Sequence, residues 1–358
     1  MSSPPQATSS IALGARLRRL PAAPSVAIVG ATGAVGAEML HCLEQRQFPV
    51  AALRLYASAR SAGRMLAFRD AAIAVETLGD AEIPEVDLAL FSAGSAQSQR
   101  FAPAFAARGA VVVDNSSAFR MAKDVPLVIP EINPEALRGH PGIVANPNCA
   151  ALIALTALWP IHRRNRIERL VLATYQAASG AGAAAMEELC AATRAHLDGR
   201  PFRQTVLPHP YAFNVFSHDT RIDPATGYNE EEMKIMSETR KIFGVPELRV
   251  TATCVRVPVL RAHCVAINVE CERPIDEREV REWLSAAPGV ELADDRSRNY
   301  FPMPSEASGR DAVLVGRIRR DSSDPSGRSI AIFVAGDQLR KGAALNAVQI
   351  AELLLPGA

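Results

Sequence analysis

The segment Asn146-Pro147-Asn148-Cys149 places a thiol where a thiol can react. Pro147 cannot sit inside a helix and biases Asn146 toward extended backbone. Asn148 is a favourable N-cap, and the Ala- and Leu-rich run from Ala150 to Trp159 follows it. Cys149 is therefore expected in the first turn of a helix, among unpaired N–H groups and the positive end of the helix dipole. That setting lowers a thiol pKa and makes the thiolate available near neutral pH. A buried structural cysteine is the bland alternative, and position alone does not decide between the two.

A second chemical signal is Gly30-Ala-Thr-Gly33-Ala-Val-Gly36, straight after the apolar run Val26 to Val29 and before a helix expected to end at about Gln45. Glycines there allow a tight turn and close approach of the backbone to a phosphate, and the helix N-terminus holds the anion. The spacing is G-x-x-G-x-x-G rather than G-x-G-x-x-G, so its weight comes from its place between strand and helix. Where NAD-specific sheets carry an acid after the second strand, this chain has Ser58-Ala-Arg60-Ser61-Ala-Gly-Arg64. Two arginines and no acid suit a 2′-phosphate, hence NADP; solvated surface arginines are the alternative.

A thiol beside a nicotinamide suggests interconversion of aldehyde and acyl groups through a thioester, which needs an acid/base. Seven histidines compete for that role. His41 and His162 fall in helices, and His140, His196, His209 and His218 in or near loops. His263 opens a strand expected to pair with the stretch from Leu248 to Leu260. Arg256 sits in that stretch among alternating apolar residues, and a buried Arg needs an anion: a substrate carboxylate, or an internal Glu. The residues alone make His263 only a better choice than its rivals. Asn115-Ser-Ser-Ala-Phe-Arg120 follows the strand Ala110 to Asp114, at the end of the sheet where ligands bind. Glu230-Glu-Glu-Met-Lys234 opens a helix, where acids also serve simply as dipole partners. Tyr175-Gln176-Ala-Ala-Ser179-Gly180-Ala-Gly182 ends a strand in a glycine-rich turn.

The elements that must position these residues fall in two groups. Up to Asn148, strands at Val26 to Val29, Leu53 to Ala57, Val86 to Phe91 and Ala110 to Asp114 alternate with helices, the last before Ala110 running from about Ala96 to Arg108. That is a doubly wound parallel sheet, an α/β arrangement. After Cys149, longer strands at 169–176, 248–260, 263–272, 312–319 and 329–334 often follow one another without helices. They predict an α+β second domain with a mostly antiparallel sheet. Its helices are expected at about 182–197, 230–243 and 276–285, and a last helix closes the chain at about 340–355.

Composition narrows the class. With 358 residues, two domains are the natural expectation. A net charge of +1 gives no reason to expect nucleic acid or an acidic membrane as partner. The six cysteines show no paired metal spacing and suit a reducing cytoplasm. No apolar run approaches the ~18 residues that cross a bilayer. Residues 1–24, rich in Ser, Pro and Ala with arginines and no acid, read as a disordered extension rather than a targeting segment.

Taken in order, Gly30 to Gly36, Asn115 to Arg120, Asn146 to Cys149, Thr174-Tyr-Gln-Ala-Ala-Ser-Gly180, Arg256-Val-Pro-Val-Leu-Arg-Ala-His263 and Lys341-Gly-Ala-Ala-Leu-Asn346 resemble the aspartate-β-semialdehyde dehydrogenase family, from about Ser25 to the end. The resemblance implies a Rossmann-like NADP-binding domain over 25–148, completed by a C-terminal helix over 338–358, and a catalytic and dimerisation domain over 149–337. It implies NADPH-dependent reduction of L-aspartyl-4-phosphate to L-aspartate-4-semialdehyde, on the route to lysine (through diaminopimelate), threonine, methionine and isoleucine. Cys149 would be the nucleophile and His263 the acid/base. Arg256 and Gln176 would bind the aspartyl part, Glu231 its amino group, and Arg120 with Lys234 the phosphate. Gly30, Thr32, Gly33, Ala34, Val35, Gly36, Arg60, Ser61, Ser179, Gly180 and Gln338 would touch NADP, with no metal. N–H groups at the start of the Cys149 helix are expected to hold the oxyanion. The family implies a homodimer or homotetramer.

Two enzyme rivals remain. N-acetyl-γ-glutamyl-phosphate reductase shares the architecture and chemistry but carries glycine where Asn148 stands here. An acyl-CoA reductase would not need a phosphate-binding pair. A non-catalytic nucleotide-binding relative would be expected to lose the thiol or the imidazole, and both are present.

Overall fold

The computed structural model describes residues 19–79 and 83–357. The chain opens with β1 (Ser25–Val29), α1 (Ala34–Gln45), β2 (Ala52–Ala57), β3 (Met65–Phe68), β4 (Ala71–Thr77), β5 (Leu88–Phe91), α2 (Ser95–Ala107), β6 (Val111–Asp114) and β7 (Ile143–Ala145). Among the described residues these strands form one sheet in the order β3-β4-β2-β1-β5-β6-β7, parallel except for the β3–β4 pair. The central strands are buried on both faces, as a covered parallel sheet requires. Val26, Ile28, Leu88, Leu90, Val111 and Val113 meet Met39 and Leu43 of α1 on one side. Ala27, Val29, Ala89, Phe91 and Val112 meet Phe101 and Phe105 of α2 on the other. The β3–β4 hairpin and the three-residue β7 were not expected. Met65 and the Ala-rich β4 leave much of their surface exposed, so they lack the apolar run that marks the central strands.

The second half runs α3 (Cys149–His162), β8 (Ile167–Gln176), α4 (Ala183–Leu197), β9 (Phe216–Ser217), α5 (Glu230–Phe243), β10 (Arg249–Arg256), β11 (His263–Cys271), α6 (Glu277–Ser285), β12 (Val290–Leu292), α7 (Pro304–Ala307), β13 (Val313–Arg320), β14 (Ser329–Gly336) and α8 (Leu345–Glu352). Its sheet has the order β12-β13-β14-β11-β8-β10-β9, mostly antiparallel, with parallel pairs β8–β10 and β12–β13. One face, carrying Leu170, Leu172, Val250, Val265, Ile267 and Ile332, packs on α3, α5 and α6. The other presents Val171, Ala173, Tyr175 and Phe333 more openly.

The strand opened by His263 does not pair with the preceding one, contrary to expectation. β11 lies against β8 and β14, and β8 separates it from β10. The connection Val257 to Ala262 crosses the end of β8, where Val259 O and Leu260 O accept the N–H groups of Ala178 and Ser179 at 2.8 and 3.0 Å. Pro258, without an N–H, falls in this crossing, and β10 stops at Arg256.

The C-terminal helix returns to the first sheet. A π-helical turn at Arg340–Ala344 precedes α8, whose Leu345, Val348, Ile350 and Ala351 share the core of α1 and β1. Arg340 and Arg261 both bind Glu38 of α1, at 2.7 and 2.8 Å. Of the expected extension 1–24, residues 1–18 lie outside the described residues. Leu20 is a correction: it is buried, and its N–H bonds Leu354 O at 2.8 Å, so the chain is packed from at least this point.

Candidate active site

Register brings the catalytic candidates to one edge of the second sheet. Gln176 and Arg256 end parallel neighbours and face each other in register, while His263 starts β11 opposite Gly336, the last residue of β14. Asn115 and Asn146 follow β6 and β7, and the Asn146 N–H bonds Asp114 O at 2.8 Å. A cavity of about 340 Å³ lies where these ends meet, walled by Cys149, Arg120, Gln176, Glu231, Lys234 and Arg256. Ser179, Gly180, Gln338 and Val35 complete the part of the wall nearest the phosphate loop.

Cys149 is the first residue of α3, as expected, with Asn148 as N-cap. The Asn148 Oδ1 accepts the N–H groups of Ala150 and Ala151, both at 3.0 Å. Those two N–H groups serve the cap, which leaves the N–H of Cys149 itself, without an acceptor among the described residues, as the first-turn donor free for an oxyanion. Against the expectation of a lowered thiol pKa, desolvation of this partly buried residue, then the charge of Glu231, pushes the thiol up to about 12 against the opposing pull of Arg120, Arg256 and the Ala150 N–H. The expectation counted the helix terminus alone, and desolvation outweighs it here.

His263 is fully buried and stands behind Gly180 rather than in the cavity wall. A Cβ on Gly180 would come within 3.0 Å of His263 Cε1 and Nε2. Its Nδ1 accepts the Ala177 N–H at 3.0 Å, and its Nε2 has no partner among the described residues. An Nδ1 that accepts must be unprotonated, so the proton of the neutral ring sits on Nε2. Burial, then Arg256, pushes this imidazole down to about 3, so it stays neutral at physiological pH.

The internal anion for Arg256 is an aspartate, not the glutamate expected as the alternative. Arg256 Nε donates to Asp219 Oδ1 at 2.8 Å, and Nη1 makes a long bond to Ala177 O at 3.4 Å, leaving the Nη2 donors without a protein acceptor among the described residues. Gln176 Nε2 donates to Glu231 Oε1 at 3.1 Å, and Glu231 also takes Asn148 Nδ2 at 2.7 Å. Glu231 stays below the usual carboxylate range: His218, Asn148, Lys234 and Gln176 together overcome the cost of its burial. Lys234 stands 3.7 Å from Glu231.

The phosphate loop fits a dinucleotide. Gly30 has φ +95°, and a Cβ there would lie 2.4 Å from Ser92 O; a Cβ on Gly36 would lie 2.2 Å from Gly30 O. The N-cap of α1 is Gly33, and no side chain caps the helix, so its first-turn N–H groups are left for an anion. Gly30, Thr32 and Gly33 border a second cavity of about 530 Å³ with Ala57 and Ala59, and Ser92 belongs to both cavities. Thr32 Oγ1 bonds Ser61 Oγ at 3.2 Å. Ala34 opens α1 beside a third cavity. Gln338 bonds Ser179 Oγ, and its Oε1 takes the Ala262 N–H at 2.8 Å. Arg60 sits exposed on the short turn after β2, outside the wall of either main cavity. Neither it nor Arg64 has a carboxylate partner among the described residues.

Several site residues were not legible in the sequence. His218 and Thr220 line the cavity, and Asp219 between them holds Arg256. Nothing in that loop announces them. Glu238 and Lys241 continue the series Glu231, Lys234 along α5 at helical spacing, and that charged stripe was a readable signal. The Lys341 to Asn346 motif proves to be a buried scaffold. Lys341 Nζ bonds Glu131 at 2.7 Å and Asn346 Oδ1 at 2.9 Å, and Asn346 Nδ2 reaches Asn146 Oδ1 at 2.6 Å, just before the nucleophile.

Comparison with known proteins agrees with this arrangement. Residues 25–140 match the model of the semialdehyde dehydrogenase NAD binding domain, and 158–341 that of the semialdehyde dehydrogenase dimerisation domain. The chain is 52% identical to the aspartate-semialdehyde dehydrogenase of Synechocystis sp. over 94% of its own length and 98% of the relative's. It is 48% identical to that of Aquifex aeolicus, over 92% and 97%. A crystal structure of aspartate semialdehyde dehydrogenase II from Vibrio cholerae, complexed with ASA, superposes with a TM-score of 0.88 at 44% identity, covering 93% of this chain and 98% of that one. These relatives do not favour the glutamyl-phosphate rival. The chain belongs to the aspartate-semialdehyde dehydrogenase family.

Proposed function

We propose that this protein carries out the NADPH-dependent, reversible reduction of L-aspartyl-4-phosphate to L-aspartate-4-semialdehyde through a thioester on Cys149, in biosynthesis of lysine, threonine, methionine and isoleucine. One observation carries the reading: a single cavity is lined by the thiol and by three cations, Arg120, Lys234 and Arg256. A substrate with a phosphate, a carboxylate and an ammonium finds Arg120 and Lys234, Arg256 with Gln176, and Glu231.

Attack forms the S–C bond and breaks the C–O bond to phosphate. The thiol is neutral beforehand, and its proton leaves with the phosphate as hydrogen phosphate. Arg120 and Lys234 stabilise the charge gathering on that group. The His263 Nε2–H, beside Gly180, is the donor we assign to the thioester carbonyl oxygen, acting as a neutral hydrogen-bond donor rather than as an imidazolium. When bound, NADPH supplies the two electrons that turn the thioester into the aldehyde. Collapse releases the aldehyde and the thiolate, and one proton taken up from solvent restores the thiol, so each turnover consumes NADPH and a proton. Gly30 to Gly36, Ser61, Ser179, Gly180 and Gln338 would hold the dinucleotide, with the uncapped start of α1 on its pyrophosphate and Arg60 on the 2′-phosphate.

The shared core of α8 with α1 and β1 supports a nucleotide domain of 25–148 completed by 338–358, and a catalytic domain of 149–337. We assign the open face of the second sheet, around Tyr175 and Phe333, to a homodimer. Among the described residues no helix is long and apolar enough to cross a membrane. Six free thiols support a reducing compartment, the cytoplasm.

The test is phosphate-dependent reduction of NADP with aspartate semialdehyde, and with N-acetylglutamate semialdehyde as control. Wild type should use only the first, and Cys149→Ala should lose activity by on the order of 10⁴-fold or more. Preference for the acetylated substrate, or activity surviving in the variant, rules the reading out.

A further inference from the structure

Glu238 has no part in the roles assigned above, yet it is among the most buried charged groups of the site, at 1% exposure. Its two oxygens go to different places. Oε1 accepts Arg120 Nη1 at 3.1 Å, and Oε2 accepts the backbone N–H of Asn148 at 2.6 Å. Asn148 caps the helix whose first residue is Cys149. One carboxylate therefore joins the proposed phosphate-binding cation to the turn that presents the nucleophile.

The rest of the arginine is fixed in the same way. Arg120 Nε donates to Asn146 O at 2.9 Å, and Nη2 to Asn115 O at 2.8 Å. All three nitrogens are tied, each to a different segment: the ends of β6 and β7 and the helix α5. Three of five N–H donors are used, and one on each terminal nitrogen remains for an anion in the cavity. One turn beyond Glu238, Lys241 Nζ donates to the carbonyls of Arg120, Ala122 and Val125 at 2.6, 2.8 and 2.9 Å, holding the arginine's own loop against α5.

A buried ion pair is weak evidence for stability, since desolvating both charges consumes most of the attraction between them. An anion beside Arg120 also weakens its hold on phosphate. What the pair contributes is geometry. Phosphate departure demands that the cation and the sulfur keep a fixed relation, and a misplacement of 1 Å costs catalysis heavily.

We propose that Glu238 is a positioning residue, which sets the Arg120 guanidinium against the Cys149 turn for phosphate transfer. The claim rests on the reading of Arg120 as a phosphate ligand. Gln at 238 offers one acceptor oxygen and turns a donor toward either Arg120 or the Asn148 N–H, so it cannot reproduce both bonds.

The experiment is a double-mutant cycle of Glu238→Gln and Arg120→Lys in the direction that consumes inorganic phosphate. Glu238→Gln should lower kcat/KM for phosphate at least tenfold and leave the KM for NADP unchanged. Combined with Arg120→Lys, it should cost little beyond the arginine change alone, because it acts through that arginine. Multiplicative losses, or equal losses toward phosphate and NADP, overturn the proposal. If Arg120→Lys leaves phosphate kinetics intact while Cys149→Ala is inactive, the reading of Arg120 fails first. If Arg120→Lys impairs phosphate use and Glu238→Gln does not, only the role of Glu238 fails. Should Glu238→Gln not fold, Glu238→Asp, too short to span both partners, takes its place in the cycle. Failure of both variants to fold would show a structural role and reject the proposal.

Discussion

The Ala177 N–H donates to His263 Nδ1 at 3.0 Å, and this bond decides which proton the imidazole carries. Protonating Nδ1 would set two N–H groups against each other in a site without water exposure, so the ring stays neutral with hydrogen on Nε2.

From this follows a spectroscopic prediction. In enzyme labelled with ¹⁵N-histidine, His263 should show the Nε2–H tautomer without titrating between pH 5 and 8, because burial, then Arg256, pushes its pKa down to about 3. His263→Asn should lower kcat by on the order of 10²–10³-fold. An imidazole that titrates near pH 6.5 in the free enzyme would mean that the donor role is misassigned.

Gly342 sits in the π-helical turn, and a Cβ added there would stand 3.2 Å from Cys149 Cβ and 3.1 Å from Gln338 Cβ. Both neighbours would have to shift by a few tenths of an ångström. Gly342→Ala should lower kcat roughly tenfold or more while moving Tm by only a few degrees, since a small displacement of the nucleophile disturbs attack more than packing. Unchanged kcat, with wild-type Tm, would show that the turn tolerates the methyl.

Arg60 and Arg64 lie in the connection that follows β2, and Arg60 is the residue assigned to the 2′-phosphate. Arg60→Ser should raise KM for NADPH by about 10- to 100-fold, as expected for loss of one charge-assisted bond, and leave KM for NADH unchanged. The same ratio of the two constants in wild type and variant transfers the role to Arg64 or to neither.

Acid should destabilise the fold through two imidazoles. Burial and Arg256 push His218 down to about 4 and His263 to about 3. Unfolded chains bind those protons near pH 6.5 and the folded protein does not, so stability falls as pH drops from 6.5 toward 4. Each imidazole contributes up to about 1.4 kcal/mol per pH unit. Urea unfolding of His218→Asn should therefore lose about 1–2 kcal/mol less than wild type between pH 6.5 and 4.5. Parallel curves for the two proteins would contradict this.

Local signals carried most of what was readable in advance. Pro147 and Asn148 announced the start of α3, and the capped helix at Glu230–Phe243 was read to the residue. The buried runs of β1, β5 and β6 announced a covered parallel sheet because apolar residues on both faces leave no other arrangement. The phosphate loop was legible because its glycines answer to backbone sterics within a few residues.

What the sequence determined was thus short-range: caps, turns, strand runs, and the residue types able to do thioester chemistry. Tertiary structure decided the rest. It inserted β8 between β10 and β11, set His263 behind Gly180, gave Arg256 to Asp219, and tied Arg120 to the nucleophile through Glu238. It also pushed the thiol pKa up, since desolvation comes from atoms that surround the sulfur and come from distant parts of the chain. Hydrogen-bond partners and burial depend on which segments meet, and adjacent residues carry no direct record of that meeting.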